Sequence, residues 1–314
     1  MTPLPEAVRA AILPARARSV ETAARWRAGA EVRAFEAWFA GCAADEAEAV
    51  ADRAEALLAD AGWAEALLAP LVEALAADPF FDPPFRTTRD GVRTGAVLLD
   101  PPVATLTATV THAAALAALP PPETIVFSGR LSVTRYLRAG RATLRRWEAE
   151  PVTPAYRAAG AAPCREVAPV PLADGEVTRC DGRRQGQVAS APHSDMVALA
   201  ITARAGAPLV RIHRIADGAL LRIASADEGA SRAEMLLAWL RCAGRAEAGS
   251  LFEAASRDAA FQLRWAAMRE WLALDARTAL PRLAEMAAAD PNAEVRAAAA
   301  TMLGPVRERV ECPA

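Results

Sequence analysis

Residues 127–147, FSGRLSVTRYLRAGRATLRRW, decide how this chain is read. In LSVTRYL apolar and polar side chains alternate at the two-residue period of a half-buried strand, Ala139-Gly140 supplies a turn, and ATLRRW begins a second strand. The period puts Leu131, Val133, Arg135 and Leu137 on one face, with Ser132, Thr134, Tyr136 and Arg138 on the other. The same texture extends outward, from Phe80 to about Glu228. Prolines and glycines there punctuate short runs rich in Val, Ile, Thr and Leu, among them GVRTGAVLL, ATLTATVTHA, DGEVTRCDG, SDMVALAITAR and PLVRIHRIADGALLRIAS. Such density argues for an all-β sandwich or barrel. Ala216-Asp217-Gly218 marks a hairpin turn, because Asp-Gly tolerates positive φ.

Both flanks read as helix. Between residues 5 and 77, Trp26, Val32, Phe35, Trp38 and Phe39 recur at spacings of three and four, and alanine fills the remaining positions without adding core. Two further amphipathic pieces follow, broken near Gly62 and Pro70. Between Ala34 and Phe80 ten acids face one arginine, Arg53, as a solvated acidic face or a docking surface for a basic partner. The helical period returns from Ser231. Asp258, Leu263-Arg264, Met268 and Trp271 reappear as Asp290, Val295-Arg296, Ala300 and Leu303 at a constant offset of 32 residues, the pattern of stacked helical pairs. The expected fold class is α+β in three parts: an α-helical segment at 1–79, an all-β domain at 80–228 and an α-helical repeat at 229–314.

Over about residues 250–305 the pattern of Pro281, Asp290 and Val295-Arg296 resembles a HEAT repeat. That resemblance implies paired helices offering a surface to a protein partner. FSGRLSVTRYLRAGRATLRRW and the CDG…HSDMVALAI…VRIHRI succession resemble the strand blocks of a cupin-type barrel. Metal-dependent cupins carry an H-x-H followed by a glutamate, and this chain has no H-x-H. The resemblance therefore implies a degenerate cupin-like barrel at about 80–228.

Composition narrows the chemistry. Of 314 residues 81 are alanine and none is lysine, so all 36 basic side chains are arginine. Schiff-base chemistry and the G-x-x-x-x-G-K-[ST] phosphate loop both need a lysine and are excluded. Net charge is −2, distributed as −6 over residues 1–80, +4 over 81–228 and 0 over 229–314. The balanced C-terminal segment offers no footprint for nucleic acid. Five separated cysteines, Cys42, Cys164, Cys180, Cys242 and Cys312, form no C-x-x-C pair and suit reduced thiols in a cytoplasm. No signal peptide is read at the start, and no window approaches the roughly 18 apolar residues of a membrane helix.

Candidate site residues follow from the arginines. An Arg135 pointing inward with the apolar face of its strand needs an acid or an anionic ligand, since a buried guanidinium costs several kcal/mol unpaired. Glu148, Glu150 and Glu166 are the internal acids in reach, and the planar fork otherwise suits carboxylate or phosphate. Tyr136, Arg138 and Arg211 complete the expected small-anion site. The alternative is a metal site of His193, Asp195 and His213 holding a divalent Fe, Zn, Mn or Ni ion. No G-x-S-x-G elbow is present. The expected function is non-catalytic: an adaptor or sensor with an anion-binding barrel, no favoured cofactor, and a protein-binding helical repeat. The alternative is an atypical metal-dependent cupin-like enzyme acting as oxygenase, isomerase or biosynthetic tailoring catalyst.

Overall fold

The computed structural model describes residues 6–152, 156, 158–207, 209–225 and 228–311. Helices stand at both ends around central antiparallel sheets, an α+β arrangement. The chain opens with α1 (Glu6–Arg27), α2 (Ala30–Phe39), α3 (Ala47–Leu58) and α4 (Gly62–Ala77). Strands β1 (Arg86–Arg89), β2 (Arg93–Leu99) and β3 (Ala104–Thr111) follow, then a short α5 (Ala113–Ala117). Next come β4 (Thr124–Phe127), β5 (Arg130–Arg138), β6 (Thr143–Glu148), β7 (Arg165–Pro171), β8 (Val177–Asp181) and β9 (Gln185–Ser190). The last strands are β10 (Met196–Gly206), β11 (Leu209–Arg214) and β12 (Leu220–Ser225). Helices α6 (Glu228–Cys242), α7 (Gly249–Ala255), α8 (Phe261–Leu274), α9 (Ala276–Ala289) and α10 (Ala293–Glu311) end the chain.

The strands form a six-stranded sheet ordered β1-β2-β3-β10-β5-β8 and two three-stranded sheets, β7-β6-β9 and β12-β11-β4. Two units gather the chain, cutting across the segments 1–79, 80–228 and 229–314. One holds Met1–Pro122, Arg130–Glu148 and Glu166–Gly206; the other holds Glu123–Gly129, Ala149–Arg165 and Ala207–Ala314.

In the first unit the N-terminal helices cover one face of the six-stranded sheet. Phe35, Phe39, Val50, Ala54, Leu58 and Leu67 pack against Leu106, Leu131, Val133, Leu199 and Ile201 in one buried core. Trp38, expected on that apolar stripe, is 44% exposed, and its indole donates to Arg53 O at 3.0 Å. Pro70 was expected to break a helix and instead lies inside α4. Charge directs the docking. Arg179 of β8 pairs with Glu48 at 2.5 Å and Asp52 at 2.6 Å on α3, and Arg183 pairs with Glu48 as well. The acidic segment thus meets the chain's own basic sheet.

In the second unit β11 alternates buried and half-buried residues, and the β11–β12 turn forms at the expected Ala216-Asp217-Gly218. Gly218 has φ +71°, and a Cβ there would collide with the Cys164 carbonyl oxygen. The 32-residue offset has a bonding counterpart in the helices. Arg264 Nη1 donates to Asp258 O at 2.9 Å and Ala259 O at 3.0 Å, and Arg296 Nη1 donates to Asp290 O and, at 3.2 Å, to Pro291 O. Cys42, Cys164, Cys180 and Cys242 are free thiols, and Cys312 lies outside the described residues. No described helix is long and apolar enough to cross a membrane.

Candidate functional site

Strand register decides what the face of the six-stranded sheet turned away from the N-terminal helices presents. Three rows cross it: Thr109–Ala198–Tyr136, Thr107–Ala200–Thr134–Thr178 and Thr105–Thr202–Ser132–Cys180. Partners in register point to the same side, so seven Ser and Thr hydroxyls line one face while the leucines, valines and isoleucines of the same strands line the other. All seven hydroxyl residues are half-buried, and the Thr178 hydroxyl oxygen itself is sealed from water.

The sheet β7-β6-β9 belongs to the same unit. Leu144 of β6 joins Tyr136, Ala139, Ala142, Leu172 and Met196 in a small buried cluster that ties the two sheets together. Arg146 lies two residues along β6 on the same side as Leu144, opposite Gln187 of β9. It borders a cavity of about 250 Å³ with Trp147, Glu148, Val167, Ala168 and Gln185. Its Nε is buried without a hydrogen-bond partner. Its charge also reaches Cys180. Burial pushes that thiol up to about 12, Asp181 adds to the rise, and Arg146 pulls the other way without prevailing. Tyr136 is raised by burial too, against the Thr178 side chain. At neutral pH both therefore keep their protons. The face offers hydrogen-bond donors and acceptors, with neither a thiolate nor a phenolate to attack.

Of the residues expected from sequence, Tyr136 stands on this face and Arg135 does not. The apolar side of β5 looks toward the helices rather than inward, which corrects the sequence expectation. Arg135 Nη1 accordingly donates to Leu58 O at 2.8 Å and Ala59 O at 2.7 Å, capping the C-terminus of α3 where the helix dipole is negative. Its partner is neither an acid nor a ligand. Glu166 pairs instead with Arg145, at 2.7 Å. Arg138 is exposed, past a register shift that sets Val197 against Arg138 and Ala198 against Tyr136.

Arg211 and His213 share the buried side of β11, as their spacing indicates, in the second unit. Arg211, 2% exposed, donates to Glu150 O at 2.6 Å and lies over the Phe127 ring at 5.1 Å. His213 is fully buried with Nδ1 2.8 Å from Gly218 O. Burial lowers its pKa, Gly218 O opposes that and Arg211 reinforces it, so the imidazole is neutral. His193 is exposed, and its N–H donates to Gly140 O. Asp195 holds His112 Nδ1 at 3.1 Å and accepts from Ala113 N at 2.8 Å. Among the described residues no three His, Cys, Asp or Glu side chains converge as metal ligands. The residues do not fit the divalent ion of the alternative reading, and no step is assigned to one.

The hydroxyl rows and Arg146 are what sequence reasoning missed. ATLTATVT carries threonine at every second position of β3, the signal that could have found them.

No protein-family profile matches the chain, and no curated protein matches it in sequence. Solved structures with some likeness include a sugar phosphate isomerase from a cupin superfamily of Silicibacter pomeroyi, at 10% identity and TM-score 0.24 over 43% of this chain and 78% of that one. A DMSP lyase matches at 14% identity and TM-score 0.26, covering 62% of this chain and 95% of that one. Fe(II)-HppE matches at 13% identity and TM-score 0.24, covering 48% and 88%. Scores this small assign neither a family nor a function.

Proposed function

We propose that the chain binds a small, hydroxyl-rich molecule on the hydroxyl-bearing face of its six-stranded sheet, in a degenerate cupin-like β domain. The observation that carries this reading is the half-buried face of seven hydroxyls beside Tyr136. Each Ser or Thr both donates and accepts, so such a surface suits ligands with several hydroxyls of their own. Thermal-shift and calorimetric screening of the full chain against sugars, polyols and hydroxy acids tests it. At least one compound should bind wild type, and the paired substitutions Thr107→Val and Thr134→Val should weaken it about tenfold or more, as expected when hydrogen bonds to a bound hydroxyl are lost. Absence of binding by every compound at millimolar concentration, or equal binding by the valine variant, would sink the reading.

An enzymatic use of the same face is the second reading. The neighbours named above are enzymes, which stands nearer to this alternative than to a non-catalytic adaptor without deciding between them. Protonated Cys180 and Tyr136 favour binding, and turnover of a bound compound would favour the enzyme.

The helical part we read as a HEAT-like pair of units that contacts a protein. Support comes from a groove of about 1000 Å³ lined by Arg257, Asp258, Phe261, Arg282, Glu285 and Ala288 among others, mixed in charge and partly apolar. A cytoplasmic location suits the free thiols.

A further inference from the structure

We infer that Arg146 receives a carboxylate, so that the ligand of the hydroxyl-lined face is a small hydroxy acid; this rests on the reading of that face as a binding surface. Several other arginines around these sheets have acids of their own. Arg145 holds Glu166 through two bonds of 2.7 and 2.9 Å, Arg179 holds Glu48 and Asp52, and Arg183 holds Asp181 at 2.7 Å. Arg146 is half-buried with its Nε sealed from water and unpartnered; Arg135 Nε is likewise unpartnered, but the Arg135 guanidinium is held through Nη1 at the end of α3. Glu148, on the same cavity wall, has an interaction of its own. A guanidinium removed from water needs a compensating anion or a full set of acceptors.

The geometry selects the anion. The Nε side of a guanidinium presents two parallel N–H groups, the fork that a planar carboxylate accepts in bidentate fashion. One positive charge balances a carboxylate, whereas a phosphate dianion here would meet half the charge it needs. Gln185 borders the same cavity as Arg146, its carbonyl accepts from Cys180 Sγ at 3.8 Å, and Cys180 is the register partner of Ser132 on the hydroxyl-bearing face, where a ligand would continue from its carboxylate into hydroxyl-bearing carbons.

Matched pairs test this on the full chain by calorimetry: gluconate against glucitol, and glycerate against glycerol, with inorganic phosphate as the competing anion. The acid of at least one pair should bind wild type about tenfold or more tightly than its uncharged partner, the scale of one charge-assisted contact. Arg146→Gln should bring the acid down to the level of the polyol, and an unchanged circular dichroism spectrum verifies that the variant is folded. Arg146→Lys, retaining charge without the fork, should fall between, and it serves as the variant if Arg146→Gln does not fold. Equal binding of acid and polyol, undiminished acid binding by both variants, or tighter binding of phosphate would overturn the carboxylate assignment and leave the hydroxyl surface standing. Failure of all four compounds to bind wild type would overturn both.

Discussion

Arg264 is tied at four points. Its Nε and Nη2 grip the two Asp290 oxygens at 2.9 and 2.7 Å, and Nη1 reaches Asp258 O and Ala259 O. With side chains 7% and 0% exposed, this is a buried ion pair that uses four of the five guanidinium N–H groups. Removing one partner leaves a charge stranded, so Arg264→Ala or Asp290→Ala should each lower stability by about 3–5 kcal/mol in urea unfolding, the usual cost of breaking such a pair. Burial pushes the Asp290 carboxyl up, but the Arg264 fork and the Asn292 N–H outweigh it, and the carboxyl sits below its ordinary value. A depressed carboxyl contributes stability that is fully present above the unfolded pKa, about 3.9, and lost as pH falls through the folded one. The wild-type advantage over Asp290→Asn should therefore hold from neutral pH to about 5 and shrink below about 4. Constant advantage down to pH 2 would contradict the pairing.

At the scale of elements, turns and register matter more than propensity. The β11–β12 turn closes through Gly218 N–H to Arg214 O at 2.9 Å, Arg214 N–H to Ala219 O at 2.8 Å and Ala219 N–H to the Asp217 carboxylate at 3.0 Å. Gly218 also accepts from Cys164 N at 2.8 Å, close enough that no side chain fits. Gly218→Ala combines a positive φ with that collision and should cost more than about 1 kcal/mol, lowering the melting temperature by several degrees. An unchanged melting temperature would mean that the turn relaxes freely. In β5 the period of two was legible from LSVTRYL, and so were the members of each face. Which face meets the helices was not, because alternation is symmetric about the sheet until a second layer covers one side.

The whole molecule shows why charge was segregated along the chain. Acids of α3 sit against arginines of β8 and of the turn after it, so the negative N-terminal segment is an intramolecular cover for a positive sheet. Glu48→Arg with Asp52→Arg should lower the melting temperature at low salt, and about 1 M salt should remove much of the difference, since exposed pairs are screened. A salt-independent loss would place the effect in packing instead. The sequence by itself determined the helical flanks, the short strands between them, the Asp-Gly turn and the 32-residue offset, because each is a local period or a local conformational requirement. Only the tertiary structure decided that Arg135 caps a helix, that His193, Asp195 and His213 form no metal-ligand group, and that Arg146 borders a cavity with its Nε unpartnered. Those outcomes depend on which strands become neighbours and which layer covers them, and residues far apart in the chain set both.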